Sequence, residues 1–149
     1  MSELNGVFCL RTARDLREKL EFDYKRMLQS DPASVASQYA AFDFFVCAEH
    51  IPDWLAATSG GSKSSHRCYP EGSVVSHIAN GAKHFHVKDP RHTAVKGTST
   101  EQGFFEEKFF DPSLFDCVPR LVVELEGGAT ADVLELAAKV LSHWQRVLP

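Results

Sequence analysis

No two of the four cysteines, Cys9, Cys47, Cys68 and Cys117, stand close enough to form a CxxC pair. That spacing excludes a zinc ribbon and a thioredoxin-type redox motif. No run of about 18 apolar residues occurs either, so no segment is built to span a bilayer. Gly60-Gly61 and Gly127-Gly128 lack the later glycine and lysine of a phosphate-binding loop, and there is no GxSxG nucleophile elbow. The helical metal motifs HExxH, HxxxH and ExxH are all missing. Positive charge is not in surplus: 16 basic residues face 20 acidic ones, a formal charge of -4 with seven histidines neutral. A dedicated nucleic-acid binder usually carries a basic stripe, so nucleic acid is not the expected partner. The N-terminal stretch MSELNGVFCLRTARDLREK has Glu3 ahead of a short apolar patch and no small-residue cleavage site. It does not read as a secretory signal, and with widely spaced thiols the expected location is the cytoplasm.

What is present is ordinary globular composition. The 149 residues are 44% hydrophobic and 24% charged, enough for one domain (1–149) with its own core. Thr12 with Asp15 resembles a capping box, and Leu16, Leu20, Tyr24 and Met27 recur at helical spacing, so a helix is expected over 13–29. Asp31-Pro32 restarts a helix over 32–51, apolar on nearly every side from Phe42 to Ala48, which Pro52 should end or kink. TSGGSKSSHRCYPEG, 58–72, is loop chemistry. Ser73 then opens a helix over 73–87, and Gly81 within it suggests close approach of another backbone. From about 92 to 126 the period changes: TAVKGTST, GFFEEKFF and RLVVELEGG read as strands. Thr130 and Asp132 open the last helix, 131–148, with a clean apolar stripe ending at Trp144 and Leu148. The expected fold is therefore mainly α. It is a bundle of about four helices with a small antiparallel β-sheet inserted before the C-terminal one.

Chemistry concentrates in two stretches, YAAFDFFVCAEHIPDWL (39–55) and SVVSHIANGAKHFHV (73–87). Asp43 and His50 are seven residues apart, as are His77 and His84, so each pair falls two helical turns apart on one face. An aspartate inside an apolar helix needs a compensating partner. Facing helices of a bundle can converge such groups on one site. One reading is a divalent metal, zinc, nickel or iron, held by His50, His77 and His84, with Asp43 or Asp53 assisting and an open position activating water for hydrolysis. A second gives Lys83 and His84 acid/base or anion-binding work, with Trp54 and Asn80 lining a ligand pocket. A third is structural: these polar groups fix helix register, and the phenylalanine-rich segment meets a protein partner or a second copy of the chain as a homodimer.

The phrase Glu49-His50-Ile51-Pro52-Asp53-Trp54, with the chain's size, resembles the DinB-like four-helix metal-binding bundles over about one helix. That likeness implies a metal on the bundle histidines. The chain departs from the family where His77 and His84 are not spaced as HxxxH, and in its β insertion. The Arg-x4-6-His signature of HEPN-type RNases is not met, because Arg67 lies ten residues before His77.

Overall fold

Thr12 starts the first helix, α1 (Ala13–Gln29), with a complete capping box: its hydroxyl accepts from the Asp15 amide, and the Asp15 carboxylate accepts from the Thr12 amide. The computed structural model describes residues 3–87, 90–101 and 119–149. Helix α2 (Val35–Ser59) follows, then a single turn, α3 (Lys63–His66), and α4 (Gly72–Lys83). Strands β1 (Val95–Glu101), β2 (Arg120–Leu125) and β3 (Thr130–Asp132) precede α5 (Val133–Val147). The sheet is antiparallel with order β1-β2-β3, Thr98 facing Val123 and Val123 facing Ala131. A mainly helical chain with a small sheet before its last helix is the architecture that the periodicities indicate. The GFFEEKFF strand lies outside the described residues. Among the described residues no helix is long and apolar enough to cross a membrane.

The core lies where α1, α2 and α5 meet, built on Leu16, Leu20, Met27, Phe44, Ile51 and Trp144. Val123 of β2 closes the sheet against it, and α4 adds Val75. Cys47 is one of these core residues, as its apolar surroundings suggest. Its thiol donates to the Leu16 carbonyl at 3.3 Å, and burial pushes it up to about 12.

Helix α5 starts at Val133, not at 131, because Ala131 and Asp132 belong to β3, and four further departures from the sequence pattern each have a local cause. Helix α2 begins at Val35, not at 32, because the Ser34 hydroxyl caps the Ser37 amide while Asp31 is used in the preceding turn. It also runs through Pro52 to Ser59 instead of stopping near 51. An interior proline costs a helix about 3 kcal/mol. Here Pro52 and Ile51 are fully buried and Leu55 nearly so, so core packing offsets that loss. The loop 58–72 contains α3, capped by Ser62 and Ser65, behind Gly60 and Gly61 at positive φ of 79° and 81°. Helix α4 ends at Lys83 and not at 87: His84 is extended, and Phe85 beyond it is 96% exposed, with no core face to continue. Among the described residues a Cβ at Gly81 would meet only Val87 Cγ2, at 3.9 Å, and no backbone of another element approaches there. The close approach is at Gly72, where a Cβ would stand 2.1 Å from the Arg67 carbonyl oxygen.

Candidate functional site

The open side of α2 faces α4 across a cleft of about 460 Å³ lined by both helices and by Arg67. This lies within the size range of small-molecule pockets. Two carboxylates one helical turn apart on α2, Glu49 and Asp53, form one wall. Arg67, delivered by the turn after α3, bridges them. Its Nε lies 2.7 Å from Glu49 Oε1 without hydrogen-bond alignment, so that contact is electrostatic. Its Nη2 donates to Asp53 Oδ1 at 3.2 Å. The other Glu49 oxygen accepts from the Ser76 hydroxyl on α4 at 2.8 Å. Lys63 stands 3.2 Å from Asp53 Oδ1, and His50 Nδ1 lies 3.8 Å from Oδ2. The opposite wall carries Ala79, Asn80, Ala82 and Lys83, and Phe42 and Val46 supply apolar surface.

Of the residues singled out from the sequence, His50, Asp53, Asn80 and Lys83 line this cleft. Asp43 does not. It pairs with Arg26 of α1 at 2.8 Å, and Arg26 also donates to Asp23, which is 1% exposed and held from its other side by Lys19. Asp43 first, then Asp23, makes the Arg26 guanidinium hold its proton more tightly than usual. The compensating partner of Asp43 is therefore a cation on α1, and the network stitches α1 to α2. Trp54 packs against the core and does not line the cleft. His77 accepts the Val95 amide on Nδ1 at 2.9 Å and so anchors β1 to α4. Burial, then His92 at 5.8 Å between ring centroids, and then Lys96, hold the His77 imidazole below its ordinary value. His84 is the exposed residue that ends α4.

The three histidines expected to share a metal therefore serve three places: the cleft, the β1 junction and a helix end. Among the described residues no group of three His, Cys, Asp or Glu side chains could hold a metal ion. What sequence reasoning missed is the centre of the site. Glu49 was visible within the apolar stretch, and Arg67 only as part of the 58–72 loop. The one signal for their meeting is spacing: Glu49 and Asp53 are four apart, which places two acids on one helical face in need of a cation.

A second polar hollow lies at α5, where Tyr69 stacks on His143 at 4.2 Å and Lys139, Ser142 and Arg146 line the opening. An apolar hollow between α2, α4 and the sheet, lined by Phe42, Phe45, Ile78 and Leu121, continues the core outward. Set against models of known protein families, curated proteins and solved structures, the chain matches none, so the DinB-like likeness over 49–54 gains no support.

Proposed function

We propose that this is a ligand-binding protein whose cleft between α2 and α4 receives a small organic molecule. One observation carries the reading. Arg67, Lys63 and Ser76 occupy the wall carboxylates, while Lys83 has no partner among the described residues beside apolar surface from Phe42, Val46, Ala79 and Ala82. A concave site with an apolar lining and a few open polar groups is the usual form of a small-molecule pocket. Metal-assisted hydrolysis, the first chemistry suggested by the histidine spacings, has less behind it. Its three ligands would have to gather from separate places, and His77 Nδ1 already accepts an amide proton.

Amide chemical shifts in the presence of a fragment mixture test the reading. Perturbations should gather on residues 42–53 and 79–83 in the wild type and vanish from them in Ala82→Trp, which fills the cleft. Perturbations that scatter over the surface, or that survive unchanged in the variant, would overturn it.

A protein partner is the second reading, and the α2 surface supports it. Val35, Tyr39 and Phe42 are 57%, 66% and 52% exposed at spacings of four and three, one stripe along the helix. If a second copy covers it, sedimentation velocity should show a dimer that Tyr39→Glu dissociates. A monomer at all concentrations sinks this alternative.

A further inference from the structure

Resting on the reading of the α2/α4 cleft as a binding site, we infer that its ligand is an organic anion: a single negatively charged group on an apolar body. The inference comes from which charges in the cleft are already matched. Both Glu49 oxygens are engaged, Oε1 by Arg67 and Oε2 by Ser76. Asp53 Oδ1 is held by Arg67 and Lys63 together. Two carboxylates against two cations leave that wall close to neutral, and its groups are directed at one another. The Asn80 side-chain amide also turns inward, donating to the Ser76 carbonyl at 2.9 Å. What stays open is Lys83 on the opposite wall, with His50 beside Asp53 as a second donor.

A cationic ligand would meet the repulsion of Lys83, with Asp53 Oδ2, beside His50 at 3.8 Å, as the one carboxylate oxygen of that wall not held by a cation or a hydroxyl. A neutral apolar ligand would fill the space beside Phe42 and Val46 but gain nothing from the ammonium. An anion that places its charge at Lys83 and its apolar part against Phe42 and Val46 satisfies both features. Arg67 ties α2 to the segment that leads into α4 and so closes the rear of the cleft.

Phenylacetate and its uncharged counterpart phenylacetamide separate the possibilities, with amide shifts of cleft residues as the readout. Phenylacetate should bind tighter than the amide by about fivefold at low salt, the factor expected of one exposed charge pair. The preference should fade with added sodium chloride. It should disappear in Lys83→Met, which keeps the apolar stem, and persist in Lys83→Arg. Lys83 is exposed, so neither substitution threatens the fold. If both probes shift the cleft amides with equal affinity, the anion inference is overturned while the cleft remains a binding site. If neither shifts them at millimolar concentration, the binding-site reading itself fails and takes the inference with it.

Discussion

Removing Arg67 tests the candidate site more directly than removing any histidine. In Arg67→Met the Glu49 side chain, 13% exposed, loses its cation and keeps one neutral hydrogen bond, from Ser76. Asp53, 28% exposed, still has Lys63. Fully exposed pairs contribute about 0.2–1 kcal/mol, and stripping the partner from a buried charge costs about 3–5 kcal/mol. Arg67 itself is 31% exposed, so the value should fall between, at about 1–2 kcal/mol. For a chain of this length that lowers Tm by about 2–8 °C. Lys63→Met is the control: at 60% exposure its pair with Asp53 contributes about 0.5 kcal/mol or less. A double-mutant cycle with Glu49→Gln sharpens the test. Once the acid is neutral, losing Arg67 should cost less, giving a coupling of about 1 kcal/mol. Urea denaturation measures all five proteins: the wild type, the three single variants and the double mutant. Arg67→Met no more harmful than Lys63→Met, or a cycle that is additive, would refute the idea that Arg67 organises this wall.

Three further outcomes follow from the same geometry. The His77 proton affinity is lowered on folding from its ordinary 6.5, so the unfolded chain takes up a proton first as pH falls. Stability from this group is complete above about pH 6.5 and declines through the window below it; His143, lowered mainly by burial, acts in the same direction. His77→Asn, which retains an acceptor for the Val95 amide, should flatten part of the slope between neutral pH and pH 5, and an unchanged slope in thermal melts would count against it. Arg26→Met leaves Asp23 buried with Lys19 alone and should cost about 1–3 kcal/mol, against about 1 kcal/mol or less for Asp43→Asn at its 43% exposed site; equal losses in urea would show that the buried end of the network does not dominate. Gly72→Ala should destabilise by about 1–3 kcal/mol, since its methyl would press on the Arg67 carbonyl, whereas Gly81→Ala should stabilise by about 0.5 kcal/mol in open space, and the same sign for both would contradict the packing described at Gly72.

The helices were legible wherever local signals and burial agree. Thr12 and Asp15 form a capping box readable from two letters, and α1 occupies 13–29 as its periodicity indicates. Asp132 caps α5 just as plainly, its carboxylate accepting from Leu134 and Glu135. Local reading misplaced ends where a distant contact decides. Pro52 is a breaker by its own chemistry, but it is itself buried beside Ile51 and the turn beyond it still buries Leu55, so the helix continues. The lower part of the 73–87 segment has helical letters, but with Phe85 facing water it has nothing to gain by continuing.

The site was half legible for a related reason. Helical spacing tells which side chains share a face, but not which neighbour that face meets. Asp43 required a partner, and that requirement was correct. The partner is Arg26, 17 residues earlier on α1, and no histidine across the cleft. The histidines do not converge either. His77 satisfies the Val95 amide at the place where the chain turns from α4 into the sheet. Arg67 was not read as the partner of the α2 acids because it sits in a glycine- and serine-rich loop, where charge is ordinarily solvated. It acquires its role only because α3 forms a single capped turn and Gly72 lets the chain fold back within contact of the Arg67 carbonyl. Two acids four apart on a mostly apolar helix are thus the sequence feature to follow. They call for a cation, and the segment that supplies it becomes the back wall of the cleft.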